Sequence, residues 1–125
     1  PWFLNDGRLV STLKPETTLQ MIAVEDVGVF GALAFTRAAE LNGRALDIAG
    51  DAVTLPQAAA TLSRALGRPI EYVQIPIEEV RKNSEDFAMM LEWFDAVGYD
   101  ADVAALEREF GVKLLSLEAW ARKQA

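Results

Sequence analysis

A tyrosine can serve in proton transfer where a nearby lysine, for instance four residues on, lowers the phenol pKa. Tyr72 and Tyr99 are the tyrosines of this chain, and the positions four residues on are Pro76 and Val103. Neither tyrosine has the partner, so both read as packing residues. Glu25 and Asp26 are adjacent carboxylates. At a strand end such neighbours point apart, which makes them a poor acid/base pair. Capping the helix that follows accounts for Asp26, whose carboxylate can accept from free N–H groups of the first turn. Gly28-Val29-Phe30-Gly31 lacks the spacing of a phosphate-binding loop and falls inside a helix, where small residues serve close packing. The chain has no histidine and no cysteine. That excludes a Ser-His-Asp triad, a thiolate nucleophile and a zinc–thiolate site within it. No Asp-rich calcium loop is present and no metal ligand set is assigned. No residue is assigned a catalytic role, and the segment alone is expected to be inactive.

What remains is apolar. Trp2-Phe3-Leu4 is a compact patch in front of Asn5. Met89 and Trp93 stand four apart, off the main apolar stripe of their helix. They read either as the lining of a pocket, as a contact with a partner domain, or as ordinary packing.

These residues are positioned by elements that local signals mark out. Asn5-Asp6-Gly7 is a turn, and Leu9 to Leu13 a short strand. Leu19 to Val24 reads as a buried strand and leads into a helix running to about Glu40, stopped by Asn42-Gly43. Leu46 to Ala49 reads as a short apolar strand closed by Gly50-Asp51. Thr54 and Gln57 form a capping-box pattern with Pro56 in the first turn, opening a helix that Gly67 and Pro69 end. Ile70 to Ile75 is the next strand. Phe87, Met90, Leu91, Phe94 and Val97 fall on one helical stripe, ended by Gly98. Val103 to Phe110 is a shorter helix stopped by Gly111, and Ser116 caps a last one carrying Leu117 and Trp120. The expected fold is α+β: a small mixed sheet with several helices.

Composition fits this reading. One domain's length, 125 residues, with 51% hydrophobic and 25% charged residues, buries a core. The net charge of −7 disfavours nucleic acid, whose phosphates it repels. No apolar run is long enough to span a bilayer. A start at Pro1 instead of Met is what an excised domain or processed chain shows, and cytoplasm is the default location.

Taken together, Pro1-Trp2-Phe3-Leu4-Asn5, Val24-Glu25-Asp26-Val27-Gly28, Asp47-Ile48-Ala49-Gly50, Leu66-Gly67-Arg68 and Ser116-Leu117-Glu118-Ala119-Trp120 resemble the C-terminal half of NmrA-like proteins, atypical relatives of the extended short-chain dehydrogenases. The resemblance implies an α/β parent, with residues 1–125 its substrate-binding lobe. An N-terminal Rossmann domain, absent from this chain, would hold NADP or NAD. It implies that Pro1, Trp2, Phe3, Leu4 and Asn5 contact the dinucleotide, and that Trp2 and Phe3, with Met89 and Trp93, shape a pocket for a small apolar or aromatic carbonyl or quinone. Leu4 stands where relatives vary. The family divides between NAD(P)-dependent oxidoreductases and non-catalytic NADP-binding redox sensors that bind protein partners, so both functions are carried forward. Packing of the chain's own end remains the alternative for Trp2 to Asn5.

Overall fold

The computed structural model describes residues 4–125. Pro1, Trp2 and Phe3 lie outside the described residues, and of Leu4 and Asn5 the backbone alone is placed.

The chain opens with a tight hairpin. β1 (Leu4–Asn5) pairs antiparallel with β2 (Arg8–Ser11), leaving Asp6-Gly7 as the loop. Both loop residues have positive φ, 47° and 75°, which the twist of a two-residue hairpin demands and Asp-Gly tolerates. Gly7 is also crowded: a Cβ there would fall 2.8 Å from the Pro69 carbonyl oxygen. Gly7→Ala is therefore expected to cost at least about 1 kcal/mol, read as a lower urea midpoint.

On its other edge β2 pairs in parallel with β5 (Glu71–Gln74), Leu9 opposite Tyr72 and Val10 opposite Val73. A second, two-stranded sheet joins β3 (Thr18–Met21) antiparallel to β4 (Asp51–Thr54). The fold is thus α+β, with its strands divided between two small sheets.

Among the described residues seven helices complete it. They are α1 (Val24–Thr36), α2 (Ala38–Leu41), α3 (Leu55–Leu66), α4 (Ile77–Arg81), α5 (Glu85–Ala96), α6 (Val103–Phe110) and α7 (Leu117–Lys123). Their ends follow local chemistry. Thr54 and Gln57 make the full capping box of α3, and Gly67 closes it in the left-handed conformation. Gly98 follows α5 and Gly111 caps α6, both at positive φ. Ser116 accepts from the Ala119 N–H at 3.1 Å to cap α7.

Four expectations need correction. Leu46 to Ala49 is not a strand; the strand is Asp51–Thr54, in register with β3 and led in by the Gly50 N–H donating to Met21 at 2.8 Å. Leu46 and Ile48 instead pack against a core formed by α1 and α6. β3 ends at Met21, so Val24 already belongs to the helix. Asp26 therefore lies inside α1 and does not cap it; the cap position is Ala23, with no side-chain bond. The helix expected to reach Glu40 breaks at Arg37, whose φ of −113° and ψ of 33° separate α1 from α2.

Among the described residues two apolar clusters hold the chain. Leu9, Leu13, Leu55, Ala58, Ala59, Ile70 and Leu91 join the three-stranded sheet to α3 and α5. Phe30, Leu106, Phe110 and Leu114 join α1 to α6 and the segment after it, with Phe30 and Phe110 edge to face at 5.5 Å. The face of α1 carrying Val24, Val27, Gly28, Gly31 and Phe35 is exposed, and a Cβ on either glycine would meet nothing within 4 Å. No described element makes the close approach those glycines would permit.

Candidate functional site

An apolar cleft of about 650 Å³ opens between the two sheets, helices α3, α4, α5 and α7, and the start of α1. Its floor is β2 and the residues after it, Leu9 to Leu13. Leu55, Ala58 and Leu62 of α3 form one wall; Phe87, Met90, Leu91 and Phe94 of α5 form another. Met21 to Val24, where β3 turns into α1, and Leu115, Ser116, Leu117 and Trp120 at the start of α7 close the rest. The volume is that of a small-molecule site.

The lining contains no charged side chain, and its polar side chains are Ser11, Thr12 and Ser116. Ser116 is engaged in capping α7, and the Ser11 hydroxyl receives the Leu13 N–H at 3.4 Å. Thr12 is buried. Among these residues there is no acid, base or nucleophile of unusual reactivity. Such a cleft can exclude water and hold an apolar molecule, but the hydride or proton chemistry must come from elsewhere.

The segment joining α6 to α7, Gly111 to Ser116, is a strap across one end of the cleft. Its backbone N–H groups go to carboxylates from three separate elements. The Leu114 N–H donates to Glu107 of α6 at 2.9 Å, Leu115 to Asp26 of α1 at 2.8 Å, and Leu117, just past the strap, to Asp51 of β4 at 2.7 Å. Asp26 is 6% exposed. Glu25, its neighbour, points away to the Lys123 ammonium at 3.1 Å, so the two carboxylates diverge.

The tyrosines have structural partners. The Tyr72 hydroxyl donates to the Leu13 carbonyl, and its pKa is pushed up to about 12, first by burial and then by the charge of Asp95. It is protonated at neutral pH and serves no base. Tyr99 stacks edge-on against Trp93, ring centres 5.1 Å apart, and both contact Phe94. Met89 and Trp93 are 57% and 40% exposed and are not among the residues lining the cleft. Their helix neighbours Met90 and Phe94 are. Periodicity could not separate these cases, because a cleft wall and a core present the same apolar stripe. The ends of the strap, at Gly111 and Ser116, and the passage from β3 into α1 were legible in the sequence, but nothing in it marked either as a wall of the cleft.

A more polar hollow lies between Lys14–Gln20 and the end of α5. Its Asp95 is engaged by the Thr17 hydroxyl at 2.6 Å and the Lys14 N–H at 3.0 Å. Among the described residues no group of carboxylates is arranged to hold a metal ion, and no helix is long and apolar enough to cross a membrane.

Comparison with known proteins places this geometry in context. The family model described as NmrA-like family matches residues 5–123. No curated protein matches. Among solved structures, a nucleoside-diphosphate-sugar epimerase from Staphylococcus aureus superposes with a TM-score of 0.76 at 19% identity, over 98% of this chain and 46% of that one. A mutant NmrA superposes with a TM-score of 0.67 at 21% identity, over 93% of this chain and 42% of that one. At these identities the likeness establishes the fold alone. The chain spans less than half the length of either structure.

Proposed function

Because the chain belongs to the NmrA-like family, we propose that it is the substrate-binding lobe of an NAD(P)-dependent oxidoreductase, closing an apolar cleft over the nicotinamide. The observation that carries this reading is the cleft itself: about 650 Å³, uncharged, and without reactive groups of its own. It suits a small apolar or aromatic carbonyl or quinone. A nucleoside diphosphate sugar, the compound class in the epimerase's name, carries phosphate charges that no lining side chain would neutralise. The dinucleotide, NADP or NAD, is held in this reading by a Rossmann domain preceding Pro1, and Pro1 to Asn5 pass its nicotinamide end. The exposed apolar face of α1, with Val24 at 86% and Phe35 at 87%, is where that domain seats. Burial against a partner is the ordinary reason for an apolar patch of this kind.

The test is the intact parent. NADPH oxidation by a quinone, lost when the lobe is deleted, supports the proposal. Inertness toward quinones, aldehydes and ketones sinks it. The second reading, an NADP-binding redox sensor, is favoured by the lack of an acid/base pair in the lobe. It requires partner affinity to differ between NADPH and NADP⁺, since a ligand shifts only states it binds unequally.

A further inference from the structure

We propose that Asp26 and Asp51 are positioning residues that clamp the strap over the cleft and so set the shape of its wall. The inference rests on the reading above only where it concerns ligand affinity; the clamp itself is read from geometry.

Among the described residues the strap between α6 and α7 belongs to no helix or strand. A backbone segment of this kind must find acceptors for its N–H groups elsewhere. Two of those acceptors lie far away in sequence. Asp26 reaches Leu115 and Asp51 reaches Leu117, flanking Ser116 on either side. All of Leu115, Ser116 and Leu117 face the cleft. Hydrogen bonds to a charged acceptor are stronger than neutral ones, so each fixes its amide firmly.

Gly50 seats the strap beside the same carboxylate. A Cβ at this position would fall 2.8 Å from the Leu115 carbonyl oxygen and 3.5 Å from Asp26 Oδ2. The strap therefore rests on a surface that tolerates no side chain while its amides are held by carboxylates. Gly50 and Asp51 are consecutive, so the start of β4 supplies both the seat and one of the clamps. Asp26 supplies the other from α1, whose exposed face meets the preceding domain in the proposal above. The buried carboxylate of α1 thus ties the helix nearest that domain to the wall of the cleft.

The experiment uses the 125-residue chain with Asp26→Ala, Asp51→Ala and Gly50→Ala. Amide hydrogen exchange at Leu115 and Leu117 is measured without ligand, and affinity is measured for the neutral fluorophore N-phenyl-1-naphthylamine. Asp26→Ala should speed exchange at Leu115, and Asp51→Ala at Leu117, by about 10-fold or more, the loss of one charged-acceptor bond. Each should weaken the fluorophore severalfold. Asp26→Asn and Asp51→Asn keep an acceptor oxygen and should restore much of both, which mere loss of global stability would not predict. Gly50→Ala removes neither carboxylate, although its Cβ also meets Asp26 Oδ2 at 3.5 Å; it displaces the strap through the Leu115 carbonyl and should weaken the fluorophore too, so it serves if Asp26→Ala does not fold. Exchange at both amides unchanged in folded Asp51→Ala and Gly50→Ala overturns the clamp. Faster exchange in the variants, with no fluorophore bound even by the unsubstituted chain, upholds the clamp and sinks the cleft as an apolar site.

Discussion

Replacing Phe110 with alanine is expected to lower the stability of the chain by about 3–5 kcal/mol. Phe110 is 7% exposed and stands in the smaller of the two cores, edge to face with Phe30. Its ring also lies 5.1 Å beneath the Arg37 guanidinium. Truncation removes the buried area, opens a cavity between α1 and α6, and strips both aromatic and cationic partners at once. A domain of this size is stable by only about 5–15 kcal/mol, so the loss is a large part of the total. Phe35 is the control. It is also a phenylalanine, on α1, but 87% exposed. Phe35→Ala should change the stability of this chain by less than about 0.5 kcal/mol. Urea unfolding of the two variants measures both. Equal effects would mean that the α1–α6 core is not formed as described.

The second large effect concerns ligand affinity and separates two neighbouring residues. Met90→Asp should weaken binding of a neutral quinone by about 10-fold or more, because it places a carboxylate on an apolar wall that offers no counter-charge. Met89→Asp should leave affinity within about twofold, since surface substitutions away from a site act weakly. Both methionines are partly exposed on α5, Met89 at 57% and Met90 at 41%, so neither substitution need unfold the chain. Isothermal titration with menadione measures the difference. Loss of affinity in Met89→Asp alone would move the binding surface to the outer face of α5, beside Trp93 and Tyr99.

The elements legible in the sequence were those specified by neighbours in the chain. Thr54 with Gln57, Gly67 and Ser116 act within one helical turn, so their residue types announce them. Asn5-Asp6-Gly7 announced a turn for the same reason, while the pairing of Leu4 and Asn5 with β2 across it was not read. What could not be read depends on distant partners. Asp26 has the composition and place of a helix cap, yet its carboxylate serves Leu115, 89 residues away. Leu46 to Ala49 has the apolar content of a strand, but it lacks a paired strand here, and β3 takes Asp51–Thr54 instead. The cleft was hidden for a related reason. Phe87, Met90, Leu91 and Phe94 were visible as one apolar stripe, and whether such a stripe meets a core or an opening is decided by elements elsewhere in the chain. The grouping of Trp2 and Phe3 with a pocket falls outside the described residues, and it stands as part of the proposal.

The three methionines of this chain allow the most direct test of the cleft. Met21 and Met90 line it, and Met89 does not. With ¹³C-methyl methionine, titration of menadione should shift the Met21 and Met90 methyl resonances together and leave Met89 in place. A shift confined to Met89, or none in any of the three at saturating quinone, would contradict the assignment of this cleft as the substrate site.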